Sequence, residues 1–159
     1  MNMTNLAVTA LRVLLVMAFG LLVVFQTLSL PGQFAYMAEQ NPADAYLRWP
    51  LTVFAVVEVA CVQVVIVSTW KLLTMVRRDR IFSKAALAWV DAIVWAVLTA
   101  WVLLAGVFVF IVLNADDPGV PMLLTLMLVG GAVIGLLMVV MRALLRQATA
   151  LRTDMEAVI

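Results

Sequence analysis

The sequence predicts an all-α integral membrane protein, a four-helix bundle with both termini on the cytoplasmic side. Of its 159 residues, 67% are hydrophobic and 12% are charged, whereas soluble domains are about half apolar and about a quarter charged. Four runs of mostly apolar residues are each long enough to cross the roughly 30 Å hydrocarbon core of a bilayer as a helix. Nine of the ten lysines and arginines lie on one side of these runs, which orients the chain.

Helices are the expected form of all four runs, because backbone polar groups in lipid must be satisfied within the segment. The alternation of apolar and polar residues that is typical of a membrane β-barrel is not visible in the sequence. The chain is expected to form one domain, 1–159, with spans at about 6–30, 50–75, 85–113 and 121–145 and a short amphipathic cytoplasmic tail at 146–159.

The first run has a secretory signal peptide as its alternative interpretation, since Arg12 precedes the apolar stretch from Val13 to Phe25. The apolar run is long, however, and no A-x-A cleavage site follows it. A retained helix is therefore expected.

The connection between the second and third runs sets the orientation. The stretch from Trp70 to Asp91 holds five of the ten basic residues, namely Lys71, Arg77, Arg78, Arg80 and Lys84. The other two connections, 31–49 and 114–120, contain four acidic residues and a single arginine. Because connections rich in lysine and arginine stay in the cytoplasm, the basic connection and both termini are expected inside.

Capping residues predict where two helices begin. Ser83 is a good N-cap, so the third helix is expected to begin at about Lys84. In the connection 31–49, Asn41 followed by Pro42 predicts the start of a short helix that lies at the membrane surface.

Three polar side chains inside the predicted spans are candidates for a functional role: Glu58, Gln63 and Asp91. Ionisable groups in a membrane are costly, and they are functional candidates for that reason. Glu58 has no basic residue at its depth, which favours the neutral form of its carboxyl group. A proton or cation path through Glu58 and Asp91 is one hypothesis, and a structural role for each residue is the other.

Asp91 lies near the start of its helix, where the helix dipole favours a negative charge. A nearby base also holds a carboxylate charged. The candidates for that base are Lys84, Lys71 and Arg142. A paired, structural Asp91 is the favoured interpretation.

Gly131 and Gly135 form a G-x-x-x-G pattern in the fourth run. This spacing lets two helices approach closely. The expected role is packing within the bundle, with Ala105 and Gly106 as candidates for the facing residues. The alternative is a face that joins two copies of the chain in a homo-oligomer.

Beyond Leu145 the fourth helix is expected to continue as a tail with a one-sided apolar stripe. The stripe consists of Leu144, Ala148, Leu151, Met155 and Val158. The tail could lie on the bilayer, fold against the basic connection or dock a partner. Packing of the stripe against the protein itself is the first expectation.

The composition argues against catalysis and metal binding. The chain has no histidine and one cysteine, Cys61, within an apolar run. It therefore lacks the commonest zinc ligand, the commonest general base and any C-x-x-C pair. We expect no enzymatic activity, no metal site and no cofactor. Direct binding to nucleic acid is also not expected, because a short basic connection between two spans gives no recognition helix.

The basic connection has three interpretations: a topology signal, a site for anionic membrane lipid, or a dock for a protein with acidic groups. The candidate docking residues are Arg77, Arg78, Arg80, Phe82, Ser83 and Lys84.

This connection and the tail resemble a bacterial family of small four-pass membrane proteins of unknown function, of the DUF2975 type. The residues that match are Arg80, Ile81, Phe82 and Ser83 in the turn and Asp154, Glu156, Val158 and Ile159 at the end of the tail. Asp79 stands where many members have glycine. The resemblance implies a bacterial plasma (inner) membrane and no known activity or site. Because members are often encoded beside a small helix-turn-helix regulator, it also implies a link to transcription control or envelope response.

The expected function is that of a non-enzymatic accessory or regulatory membrane protein acting through the basic connection and the tail segment Leu151–Ile159. Its partner would be a cytoplasmic or membrane protein, with a helix-turn-helix regulator as one candidate. The alternative is a small oligomeric ion- or proton-coupled carrier or channel that uses Glu58 and Asp91.

Overall fold

The computed structural model describes residues 2–158 and is helical almost throughout, with no strand in that range. The helices are α1 (Met3–Val24), α2 (Leu30–Gln40), α3 (Arg48–Arg77), α4 (Lys84–Asn114) and α5 (Gly119–Val158). A π-helical turn, Phe25–Ser29, joins α1 to α2, and a 3₁₀ stretch, Pro42–Leu47, leads into α3.

Four helical stretches in this range have the length and apolar composition to cross a membrane. They are Met3–Gln40, Pro42–Arg77, Lys84–Asn114 and Gly119–Val158. The all-helical, four-span prediction is therefore confirmed, and the protein has the features of a multi-pass membrane protein.

The buried side chains are few and mostly small, as expected of lipid-facing helices. Among the described residues, the buried ones are Leu30, Thr52, Ser68, Ala86, Ala96 and Thr149. Most leucines, valines and methionines point outward, the reverse of a soluble core. Small interior residues let membrane helices approach closely, while the large apolar side chains face lipid.

The first compact unit of the chain ends at Trp70. Its first helical stretch, Met3–Gln40, is longer than the sequence predicted. The sequence suggested a span ending near residue 30, whereas the helix continues through Pro31 to Gln40. In a regular helix the proline ring would clash with the carbonyl four residues earlier. Here the preceding π turn, in which the N–H of Leu30 donates to the Phe25 carbonyl, widens the helix at that point.

The predicted surface helix after Asn41 is a six-residue 3₁₀ stretch that begins at Pro42, as expected. It leads directly into α3 at Arg48. The connection 31–49 is thus almost entirely helical, and it is shared between the end of one span and the start of the next.

The second compact unit begins at Lys71 and contains α4 packed antiparallel against α5. The indole N–H of Trp101 donates a hydrogen bond of 2.8 Å to the Leu128 carbonyl. Nearer the start of α4, Asp91 forms an ion pair with Arg142. With 40 residues, α5 is about 60 Å long, which exceeds the roughly 40–45 Å of a whole bilayer. A helix of this length extends beyond a bilayer that it crosses along the membrane normal.

Gly131 and Gly135 lie where α5 meets α4. A Cβ atom added to Gly131 would lie 3.0 Å from Cδ1 of Trp101, and one added to Gly135 would lie 3.7 Å from Val97. The facing residues are thus Trp101 and Val97, and not Ala105 and Gly106 as the sequence suggested. The reason is the register of the two antiparallel helices, which brings an earlier part of α4 opposite the glycines.

Candidate functional site

The basic connection begins with a Schellman motif that ends α3. The N–H of Arg80 donates to the Met75 carbonyl at 2.9 Å, and the N–H of Asp79 donates to the Val76 carbonyl at 3.2 Å. Asp79 has a φ of 52°, the left-handed conformation that normally favours glycine at this position of the motif. Aspartate is one of the few other residues that adopt it readily.

Substitutions at Asp79 are expected to change stability in opposite directions. Asp79→Val should destabilise the protein by about 1–2 kcal/mol, since a β-branched residue is disfavoured at positive φ. Asp79→Gly should be neutral or stabilising by up to about 1 kcal/mol. Unfolding of the purified protein in mixed detergent micelles, followed by circular dichroism, measures both changes.

Asp116→Val is the matched control for Asp79→Val. Asp116 lies in an exposed connection, and within residues 2–158 Asp79 is the only non-glycine residue with positive φ. Equal losses of stability for the two valine variants would contradict the assignment of strain to Asp79.

Ser83 ties the start of α4 to the same turn. Its hydroxyl oxygen accepts a hydrogen bond from the N–H of Ala86 at 3.3 Å, and its hydroxyl group donates to the Arg80 carbonyl at 2.7 Å. The helix begins at Lys84, so the predicted N-cap is confirmed. The six residues between α3 and α4 are therefore held at both ends.

The tail of α5 contacts this turn through Arg152. Its guanidinium carbon lies 5.5 Å from the centroid of the Phe82 ring, and its Nη2 lies 3.5 Å from Oδ2 of Asp79. The Nε atom of Arg152 is also 3.5 Å from Oε1 of Glu156. These contacts bring together two segments that lie far apart in the sequence.

Sequence reasoning did not single out Arg152. The signal that could have found it is a second periodicity in the fourth helix. Arg142, Leu145, Thr149 and Arg152 follow at spacings of three, four and three, so they share one helical face. Because Arg142 on this face pairs with Asp91 of α4, Arg152 on the same face also points toward α4, near its start.

The apolar stripe of the tail faces away from the protein, which corrects the expectation that it packs inward. Leu151 is 65% exposed, Met155 67% and Val158 87%, while Thr149 is buried. The contacts of Arg142 and Arg152 set the rotation of α5 about its axis, so the apolar stripe stays exposed. Ile159, the last residue of the predicted tail, lies outside the described residues.

Asp91 is paired, as the structural interpretation expected, and its partner is Arg142. The pair joins α4 to α5 at the level where α4 has made about two turns from its start at Lys84. Because the carboxylate of Asp91 and the guanidinium of Arg142 satisfy each other's charge, the pair suits a structural role.

Glu58 and Gln63 have different surroundings. The Oε1 atom of Glu58 is buried and has no hydrogen-bond partner among residues 2–158. Gln63 donates through Nε2 to Oε1 of Gln26 at 3.0 Å, and Gln26 donates to the Val56 carbonyl at 3.1 Å. Gln63 thus belongs to an amide chain, whereas Glu58 has no such connection.

Gln26 was also missed from the sequence. It lies in the π turn Phe25–Ser29, and π turns are frequent at functional sites. The available signal was an amide side chain within an otherwise apolar run, where an unpaired polar group is costly.

The remaining predicted residues border the turn. Arg77 is the last residue of α3, and Lys84 is the first of α4. Arg78, Arg80 and Lys84 are exposed, and within the described part of the chain none of these three pairs with a carboxylate. Their charges are therefore available to a ligand or partner.

Comparison with known protein families gives a match over most of the chain. Residues 32–159 match the family described as "Protein of unknown function (DUF2975)". No curated protein and no solved structure matches the chain. The matched region includes both the turn between α3 and α4 and the tail that contacts it.

Proposed function

We propose that this chain, which belongs to the DUF2975 family of proteins of unknown function, is a non-enzymatic accessory or regulatory protein of the bacterial plasma membrane. In this proposal the basic connection and both termini lie in the cytoplasm, because the basic residues concentrate on that side. The working surface is the turn 77–83 together with the tail from Leu151 onward, here called the loop–tail surface.

The observation that carries the proposal is the contact of Arg152 with Phe82 and Asp79. Cation–π contacts at exposed sites contribute about 0.5–1 kcal/mol, enough to favour one arrangement of turn and tail. Two segments that could act separately therefore form one surface.

The composition of this surface indicates the kind of partner. Leu151, Met155 and Val158 of the tail present apolar side chains, and the turn presents the bases Arg78 and Arg80, which pair with no carboxylate among the described residues. Exposed apolar stripes of this kind mark interaction sites, and charge complementarity selects the partner. A cytoplasmic protein segment that carries apolar side chains beside carboxylates fits this surface. A helix-turn-helix regulator remains the candidate that the family resemblance implies.

The first test is affinity purification from the native host in mild detergent, read by mass spectrometry. A protein recovered in near-equal amount with the wild-type chain should be reduced about tenfold or more by Phe82→Ala and by Arg152→Ala. Met155→Glu, which places a charge in the apolar stripe, should have the same effect.

Tyr46→Ala is the control, because Tyr46 is an exposed aromatic residue in the 3₁₀ stretch, outside the loop–tail surface. Recovery of the chain alone, or a partner retained equally by all four variants, would refute the proposal.

One observation favours the alternative of an oligomeric ion- or proton-coupled carrier or channel. Glu58 has a buried Oε1 atom with no hydrogen-bond partner among residues 2–158, and a protonatable group of this kind within a span is a functional candidate. Asp91, the other acid of this hypothesis, is held by Arg142. The carrier hypothesis therefore depends mainly on Glu58.

Flux measurements in reconstituted vesicles test the alternative. If the chain is a carrier, Glu58→Gln should abolish a pH-dependent flux. Glu39→Gln, which changes an exposed acid of α2, should leave it unchanged. A flux that is indifferent to Glu58, or no flux at all, would exclude a carrier that works through this residue.

A further inference from the structure

The last turns of α3 and the first turns of α4 enclose an open cavity of about 480 Å³. Its lining includes Lys71, Thr74, Arg78, Arg80, Ser83 and Trp89. Phe82 and Arg152, which carry the proposed loop–tail surface, do not line it. The cavity thus shares Arg78, Arg80 and Ser83 with the turn of the loop–tail surface and differs from that surface in its other lining residues.

The charges around this cavity are all positive. Lys71, Arg78 and Arg80 line it, and no acidic residue does so among the described residues. None of the three bases pairs with a carboxylate in the described part of the chain. Three unneutralised bases around one concavity attract an anion, and arginine in particular suits the geometry of a phosphate group.

The aromatic residue of the cavity lies across from the lysine. Nζ of Lys71 is 6.0 Å from the centroid of the Trp89 ring. The cavity is therefore lined by the ammonium group of Lys71 from α3 and by the indole of Trp89 from α4. Tryptophan is enriched at the level of lipid headgroups, where one end of the ring is apolar and the other is wet.

The depth of these residues favours a lipid over a dissolved anion. Lys71 lies about 9 Å along α3 from its end at Arg77, and Trp89 lies about 8 Å along α4 from its start at Lys84. The polar layer on each side of a bilayer is roughly 5–8 Å thick. The cavity therefore spans that layer, from the arginines of the turn to the edge of the hydrocarbon.

We infer that this cavity binds the phosphate headgroup of an anionic phospholipid, with Arg78 and Arg80 donating to the phosphate and Lys71 contributing charge at greater depth. The acyl chains of the lipid would leave the cavity on the side of Trp89. The start of α4 adds the positive end of its helix dipole. Basic clusters beside membrane spans are attracted to anionic lipid in general; the cavity adds a defined place for one headgroup.

The test uses the purified full-length chain in neutral detergent and native mass spectrometry. Phosphatidylglycerol and phosphatidylcholine are the lipid probes, and inorganic phosphate is added as a competitor. Wild-type protein should retain phosphatidylglycerol in preference to phosphatidylcholine. The double variant Lys71→Gln/Arg78→Gln should lose about tenfold or more of this binding, given the strength of charge-assisted hydrogen bonds.

The double variant Arg48→Gln/Arg146→Gln is the matched control, because it removes the same charge from two bases that do not line the cavity. It should bind phosphatidylglycerol nearly as well as the wild type. Equal losses in both double variants, or equal retention of the two lipids, would overturn the site. If inorganic phosphate displaced bound phosphatidylglycerol as effectively as added phosphatidylglycerol does, an anionic lipid would not be the ligand of this site.

The outcome of this test can be distinguished from the outcome of the partner experiment. If both proposals hold, Phe82→Ala should lose the protein partner and keep its binding of phosphatidylglycerol. Lipid binding without any partner would support the cavity and refute the docking role of the loop–tail surface.

Discussion

Arg142→Gln is expected to destabilise the protein by about 2 kcal/mol, because it leaves the carboxylate of Asp91 without its partner in a helix long and apolar enough to cross a membrane. The ion pair joins α4 to α5, and both side chains are partly exposed, at 37% and 39%. That exposure places the effect below the 3–5 kcal/mol typical of breaking a fully buried pair.

A double-mutant cycle separates the pair from other effects of the arginine. Asp91→Asn and Arg142→Gln should each destabilise the protein, and the variant with both changes should be more stable than the sum of the single effects implies. The free energy of unfolding is measured by titration with sodium dodecyl sulfate in mixed micelles, with helicity as the signal.

Arg146→Gln is the matched control, one turn further along α5, where the arginine is exposed. Its effect should stay within about 0.5 kcal/mol, as is usual for surface positions. Strictly additive effects of the Asp91 and Arg142 variants would show that the two side chains are not coupled.

Gly131→Ala is expected to destabilise the protein by about 1–2 kcal/mol, whereas Gly130→Ala should stabilise it by up to about 1 kcal/mol. The added Cβ at Gly131 meets Cδ1 of Trp101 at 3.0 Å, and at Gly130 it meets nothing within 4 Å. The indole cannot move freely away, since it donates to the Leu128 carbonyl. At Gly130 the higher helix propensity of alanine acts alone.

The same unfolding assay compares these two neighbouring glycines. Trp101→Phe is informative in addition, because removal of the indole N–H frees the ring and should reduce the loss caused by Gly131→Ala. If Gly131→Ala were as favourable as Gly130→Ala, the close approach of α4 and α5 at this point would be wrong.

The helices were predictable because their signals are local. An apolar run of sufficient length decides the existence of a span, and a single serine hydroxyl decides where α4 begins. Ser83 shows this clearly: its capping bond to Ala86 depends on residues within one turn of it. The left-handed Asp79 could be suspected only because the resembling family has glycine there.

The side-chain partners were less predictable because they depend on helix register. The stripe of Leu151 and Met155 is apolar and was expected to pack inward, yet Arg142 and Arg152 set the rotation of α5 and leave the stripe exposed. The first span was likewise expected to end near residue 30, but a π turn allows the helix to continue through Pro31. In both places a contact or a widened turn outweighs the local preference.

The unbroken length of α5 gives its two arginine contacts a mechanical consequence. Arg142 and Arg152 lie ten residues apart on one helix, or about 15 Å along its axis. Because α5 is one continuous helix, it cannot rotate about its axis at Arg142 without rotating at Arg152 as well. A rotation of α5 by a single residue, about 100°, would pull Arg142 from Asp91 and Arg152 from Phe82 in the same movement. The Arg142–Asp91 ion pair and the Arg152–Phe82 contact are therefore expected to form and break together.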